Sequence, residues 1–247
     1  MPRLDLNCDL GEGAGCDAEL MPLVTSASIA CGAHAGDEAT MRATVRAAQR
    51  HGVVIGAHPG FADRAHFGRR ELELPREAIM DLVRTQVATL RRLAAETGAA
   101  VRYVKPHGAL YNLSARNVEV ADAIAAAVAE IDTGLVLYGL AGGELLRSGR
   151  AQGLAVASEV FADRTYRDDG SLTPRDQPGA LITDEDGALA QVLRMVREGR
   201  VRSTGGIDVP VTADTVCLHG DGPKAVAFAR ALRAELLRAG VAMRPLV

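Results

Sequence analysis

VRYVKPHGALYNLSARNVEVADAIAAAV (101–128) spells out one complete structural unit. Val101–Lys105 is a short apolar run that predicts a strand, and it leads straight into a polar cluster of Lys105, His107 and Asn112. Asn117 then offers a helix N-cap, and Val120, Ile124 and Val128 follow at the spacing of one helix face. Strand, polar turn and amphipathic helix in that order make a βα unit, and a series of such units implies a parallel sheet.

The unit recurs on both sides. Strands are predicted at Leu4–Cys8, Ser28–Cys31, Val53–Ala57, Gly134–Tyr138, Ala155–Val160 and Thr215–Leu218. Several are apolar at successive positions, as in a sheet covered by helices. Asp37 caps a predicted helix running to Arg50, and Pro75 opens one carrying Ile79, Val83, Val87, Leu90 and Leu93, with Gly98 at its end. Thr183 with Asp186 resembles a capping box ahead of Leu189, Leu193 and Val196, and Pro223 opens a last helix with Val226, Ala229, Leu232 and Leu236 inward. About seven units, with Val241–Val247 as an irregular eighth, predict an α/β fold: a single TIM-like (β/α) barrel domain over residues 1–247. A doubly wound open sheet is the competing architecture. Two long connections, Gly60–Leu74 and Arg164–Leu181, read as functional lids or disordered segments.

Composition narrows the classes of function. The 247 residues carry a net charge of −3 with no basic run, which argues against nucleic acid and against an anionic membrane surface as partner. No segment has the ~20 apolar residues of a membrane span, and the N-terminal MPRLDLNCDLGEG lacks the apolar run of a signal peptide. Cys8, Cys16, Cys31 and Cys217 show no C-x-x-C spacing, so they read as free thiols of a cytoplasmic protein.

Polar residues gather where the predicted strands end. Strand one delivers Asn7, Asp9 and Glu12; strand two His34 and Asp37; strand three His58; strand four Lys105, His107 and Asn112. Strand six adds Glu159, Asp163 and Arg164, and strand seven His219 and Asp221, with Arg175 in the long connection. A closed barrel brings all these segments to one face, where its βα loops build active sites. Any single strand-end histidine reads more readily as a structural residue, and Asp37 as a plain cap. Four histidines beside carboxylates and a lysine point to a site. In it Asp9, Lys105, His107, Glu159 and His219 are the candidate catalytic groups. Asn7, Glu12, His34, His58, Asn112, Asp163, Arg164, Arg175 and Asp221 are candidates for substrate binding. No H-E-x-x-H or H-x-x-x-H pair is present, so a divalent metal would have to be assembled from separate strands, with Asp9, His34 and His58 as its ligands. There is no G-x-x-x-x-G-K-[ST] either, and GEGAG (11–15) does not complete G-x-G-x-x-G.

These segments carry a resemblance. DLNCDLGEG, SIACGAHAGD, GAHPGF, FGRR, VKPHGALYN, EVFADRTYRDDGSLTPR and CLHGDGP, in this order from Asp5 to Pro223, resemble the LamB/YcsF lactam-utilisation family, the 5-oxoprolinase A subunits. The resemblance implies ATP-dependent opening of 5-oxoproline (pyroglutamate) to L-glutamate, in a complex with two further subunits, B and C. It also implies a barrel related to glycoside hydrolases and deacetylases. On that reading the partners phosphorylate the lactam and this chain hydrolyses the labile intermediate. Asp9 or Glu159 would be general base, Lys105 with His107 and His219 would hold phosphate or oxyanion, and Arg164 and Arg175 would bind carboxylate or phosphate. Two other readings stand beside it: a metal-dependent amidohydrolase or deacetylase acting alone, and a non-catalytic lactam-binding subunit.

Overall fold

The computed structural model describes residues 3–219 and 225–247. In chain order the strands are β1 (Arg3–Leu10), β2 (Ser26–Ala30), β3 (Val54–His58), β4 (Val101–Val104), β5 (Val136–Leu140), β6 (Val156–Phe161), β7 (Arg200–Arg202), β8 (Asp208–Pro210), β9 (Thr215–Leu218) and β10 (Ala242–Met243). The helices are α1 (Asp17–Leu20), α2 (Glu38–His51), α3 (Arg76–Ala95), α4 (Gly108–Ser114), α5 (Val118–Ile131), α6 (Glu144–Ala151), α7 (Glu185–Glu198) and α8 (Ala225–Arg238).

Strands β1 to β6 pair in sequence, all in parallel, and β9 lies between β6 and β1 to close a seven-stranded barrel. Closure excludes the open-sheet alternative. It is written in register: Thr215 stands opposite both Asp5 and Glu159, and Cys217 opposite both Asn7 and Phe161. The C-terminal segment expected as an eighth unit is only β10, which pairs with the start of β1 outside the barrel wall. Between β6 and β9 the chain makes an excursion through α7 and the antiparallel pair β7–β8, which the strand pattern does not reveal.

Local chemistry sets the ends of most helices. The Asp37 carboxylate accepts from the Thr40 amide, and Asn117 accepts from the Val120 amide, as their positions predict. For α7 the cap is Asp184, which accepts from Gly187, so the expected Thr183 box lies one residue too early. Pro75 sits at the N-cap of α3, one residue before the position expected for it. Pro223 lies outside the described residues. Helices α4 and α6 have no counterpart in the sequence reading, because both are too short to display a clear period.

The barrel has two interiors. Leu4, Leu6, Cys8 and Leu10 of β1 belong to the apolar layer between strands and helices, together with Met41, Val45, Val83, Val87, Leu90, Ile124 and Leu232. The intervening Asp5, Asn7 and Asp9 bond with one another's partners across the barrel. Strand β1 therefore alternates with a period of two. At the N-terminal end the barrel is plugged by Tyr103 and Tyr138, fully buried and stacked with centroids 4.1 Å apart. Gly56 makes room for them, because a Cβ there would lie 2.1 Å from the Tyr103 ring. Asp5 above the plug accepts hydroxyls from Thr25, Ser26, Tyr138 and Thr215 at 2.6–3.1 Å. Burial pushes its carboxyl pKa up, against the lowering effect of those bonds. No helix among the described residues is long and apolar enough to cross a membrane.

Candidate active site

At the C-terminal ends of the barrel strands a pocket of about 120 Å³ opens. Asp9, Glu12, His58, Lys105, His107, Asn112, Glu159, Arg164, Arg175 and His219 line it, with Arg69, Tyr111, Phe161 and Leu172 completing the wall. Ten of the sequence candidates therefore share one cavity. Asn7 and His34 lie behind its surface, Asp163 orients a lining residue, and Asp221 falls outside the described residues.

The floor is a buried charge cluster. Lys105 follows β4 directly and is 1% exposed; its Nζ lies 2.6 Å from Asp9 Oδ1, 3.0 Å from Glu159 Oε1, 2.9 Å from Asn7 Oδ1 and 3.2 Å from Cys217 Sγ. Burial disfavours the ammonium, yet Asp9, Cys217 and Glu159 outweigh it and hold the lysine well above its usual pKa. Conversely, burial would raise Asp9, but His58 and Lys105 keep it well below the ordinary carboxylate range. Lys105 was expected to grip phosphate or an oxyanion; its donors are already engaged, and it holds the Asp9 and Glu159 side chains side by side. Asn7, expected to touch substrate, is fully enclosed instead. Its amide donates to Glu159 Oε1 and Thr215 Oγ1, each at 2.8 Å, because its place on β1 lies one turn of the pleat below Asp9.

A second cluster forms where β2, β3 and β4 end. His58 Nδ1 donates to the Lys105 carbonyl at 2.7 Å, and His107 Nε2 donates to the Phe67 carbonyl at 2.8 Å. A carbonyl can only accept, so each of these two nitrogens carries a proton. The remaining nitrogens, His58 Nε2 and His107 Nδ1, face each other at 2.9 Å. Glu12 Oε1 lies 3.1 Å from His107 Nδ1 and 3.8 Å from His58 Nε2, and His34 Nε2 donates to the same oxygen at 3.0 Å. Burial lowers the pKa of His107, and that of His34 to about 4. Glu12 stays below the usual range despite its burial, held there by His107 and His34. His107 therefore belongs with His34 and His58 rather than with Lys105 and His219. The expected metal set of Asp9, His34 and His58 changes in the same way: the donor atoms lying within 4.8 Å of one another come from Glu12, His34, His58 and His107. Asp9 bridges the two clusters, with Oδ1 2.6 Å from Lys105 Nζ and Oδ2 3.3 Å from His58 Nε2, while the turn at Gly11 (φ 74°) folds Glu12 over the histidines.

The connection after β3 packs against this cluster. Its Phe61 is buried, and Phe67 takes a left-handed φ of 55° that aims its carbonyl at His107. Gly68, also at positive φ, packs where a Cβ would lie 2.8 Å from His34 Cβ, so the loop closes on the stacked His34 and His107 rings, 3.7 Å apart.

A third element is a dyad. His219 Nδ1 donates to Asp163, 2.9 Å from both carboxylate oxygens, which leaves Nε2 as the basic atom of the ring. Burial pushes Asp163 up, but His219 draws it below its ordinary value. Asp163 is thus placed to orient His219 and not to touch substrate. One ring nitrogen of His219, a carboxylate oxygen of Asp9 and the Cys217 thiol lie within 4.8 Å of one another. The guanidinium of Arg164 donates to the Thr173 carbonyl and turns toward the pocket beside Arg175, and its burial lowers its pKa to about 10. Tyr111 and Arg69 are pocket residues that the sequence pattern does not single out, and the fully buried Cys217 lies against Lys105. Cys217 is the inward neighbour of Lys105 only because β9 closes the barrel, which no local pattern signals.

Comparison with known proteins meets this geometry. The sequence profile of the LamB/YcsF family matches residues 4–247. The chain belongs to the LamB/YcsF family. A relative in Brevibacillus brevis, the A subunit of 5-oxoprolinase, is 51% identical over 246 residues, spanning 98% of this chain and 97% of its own. The lactam utilization protein of Thermus thermophilus superposes with a TM-score of 0.91 at 44% identity, covering 98% of this chain and 99% of that one. A peptidoglycan N-acetylglucosamine deacetylase domain from Eubacterium rectale shares the fold alone, with a TM-score of 0.53 at 12% identity over 99% of this chain and 88% of that one. The LamB/YcsF motifs thus coincide with the three clusters of the pocket.

Proposed function

We propose that this LamB/YcsF chain is the A subunit of a cytoplasmic 5-oxoprolinase and carries out the ring-opening half of its reaction. The observation that carries the reading is the joint presence, in one small pocket, of a carboxylate held ionised by a buried lysine and an aspartate-oriented histidine. The likeness to the Brevibacillus protein supports the substrate class.

A lactam resists hydrolysis because its amide is resonance-stabilised. Its product also recloses readily, since well-placed intramolecular groups have effective molarities of ~10⁵ M or more. Phosphorylation of the lactam oxygen by ATP on the B and C subunits removes both obstacles; the lack of a phosphate loop in this sequence supports assigning that step to the partners. Water then adds to the ring carbon, its proton passing to Asp9. Phosphorylation has cost the ring nitrogen its amide proton, so both protons of that water reach it as the C–N bond breaks, the first relayed from Asp9 through Nε2 of His219, leaving an acyl phosphate. A second water hydrolyses that acyl phosphate to glutamate and phosphate. Arg164 and Arg175 suit the substrate carboxylate or the phosphoryl group, since guanidinium binds either in bidentate fashion.

The test is reconstitution with the partner subunits, ATP and 5-oxoproline, following glutamate and ADP. The proposal requires that glutamate formation vanish when this chain is omitted, and that Asp9→Asn abolish turnover while the assembled complex still binds 5-oxoproline. Equal glutamate without this chain refutes it. Turnover by the chain alone, without ATP, would favour the amidohydrolase reading instead.

A further inference from the structure

We propose that Glu12, His58 and His107 form a binding site for one divalent transition-metal ion of the zinc or manganese class, with His34 holding the glutamate in place. The argument begins with the tautomers. His58 and His107 each anchor one ring nitrogen on a backbone carbonyl, Lys105 O and Phe67 O, and so turn the other toward each other at 2.9 Å, with Asp9 Oδ2 a further 3.3 Å from His58 Nε2. Together with Glu12 they bring three donor atoms within 4.8 Å of one another, the span of a single coordinated cation. Each ring is also anchored at its far nitrogen in the way that orients metal-bound histidine.

The spacing fits a coordination shell. Ligands about 2.0–2.2 Å from a metal stand about 2.9–3.5 Å from one another at angles between octahedral and tetrahedral. The pairs here are 2.9 Å (His58–His107), 3.1 Å (His107–Glu12) and 3.8 Å (His58–Glu12), so a shift of a few tenths of an ångström in Glu12 completes the triangle. Two imidazoles and one carboxylate favour zinc or manganese over magnesium or calcium, which prefer oxygen. Three protein ligands leave further positions open, and all three line the pocket beside Asp9. His34 is a different case. It lies behind the pocket wall, its ring is stacked parallel on His107, and its Nε2–H donates to Glu12 Oε1 at 3.0 Å. That is the supporting hydrogen bond a ligating carboxylate needs.

The inference does not depend on the substrate reading, since it is tested without substrate. The purified full chain is assayed for bound metals by elemental analysis. It is then stripped with chelator and titrated with Zn²⁺ by calorimetry and with Co²⁺ by visible absorption. The expectation is one saturable site per chain, with Co²⁺ bands of a nitrogen–oxygen ligand field. Glu12→Gln and His58→Gln should each weaken Zn²⁺ at least about 100-fold, and His34→Gln about 10-fold. Glu159→Gln, in the neighbouring cluster, should leave the affinity within about twofold. Circular dichroism separates loss of metal from loss of fold, and should His58→Gln misfold, Glu12→Gln carries the test. Absence of a saturable site in the wild-type chain overturns the proposal, and so does unchanged Zn²⁺ affinity in a folded Glu12→Gln chain. If metal binds as described but the reconstituted complex opens no lactam, the substrate reading falls and the metal site stands.

Discussion

Replacing Lys105 by Met removes the ammonium between two buried carboxylates while keeping most of the side-chain volume. At an effective dielectric of about 20, attractions over 2.6 Å to Asp9 and 3.0 Å to Glu159 are each worth about 5–6 kcal/mol gross. Against that stands the cost of dehydrating the lysine, several kcal/mol, which the variant no longer bears. The net effect of leaving the partners uncompensated is about 3–5 kcal/mol of lost stability. For a chain of 247 residues that is a fall in Tm of about 6–20 °C, at about 2–4 °C per kcal/mol. Urea unfolding at neutral pH, followed by circular dichroism, measures it. The charge origin is tested by Lys105→Met/Glu159→Gln, which removes one orphaned carboxylate and should recover at least about 1 kcal/mol although it carries more substitutions. Should the single variant fail to fold, recovery of folded protein in the double variant reads the same energy. A Lys105→Met chain within about 1 kcal/mol of wild type, or a double variant less stable than the single one, refutes the reasoning.

Three further outcomes are expected. Gly56→Ala drives a methyl into the Tyr103 ring and should cost about 1–3 kcal/mol or more in urea unfolding, most of it regained with Tyr103→Leu; a neutral Gly56→Ala would show that the aromatic plug yields easily. Asp163→Asn removes the charge that orients His219, so turnover in the reconstituted complex should drop about 100-fold or more with little change in Tm; unchanged turnover would remove His219 from proton transfer. Asp5 has a raised pKa, so its contribution favours the fold below the unfolded value of about 3.9 and is lost as pH rises above it. Stability of Asp5→Asn relative to wild type should therefore improve between about pH 4 and neutrality, and a difference that is flat or opposite in pH would contradict the assigned environment.

Much of the site is legible because barrel geometry turns sequence position into place. Residues just past a strand end meet on one face, so Asp9, His58, Lys105, Glu159 and His219 can be gathered from the pattern of runs and caps alone. The relations among them are not legible. Lys105 and Glu159 are 54 positions apart, and Asn7 and Glu159 are 152 apart. Contacts at such separations depend on strand register, which a one-residue slip reverses. That is why Asn7 and His34, substrate contacts by their sequence positions, are supports in the fold, and why strand order alone groups His107 with the wrong partners.

By itself, then, the sequence determined the βα rhythm, the direction of the polar face, and, through seven long motifs, the family. Those are local properties: hydrophobic period, capping residues and side-chain identity at strand ends. Only the tertiary structure decided that β9 closes on β1 instead of leaving an open edge, that the polar strand-end residues divide into a lysine–carboxylate floor, a histidine cluster and an aspartate–histidine dyad, and which nitrogen of each imidazole is free. Each of those depends on which atoms face one another across the barrel once its hydrogen-bonded register is complete.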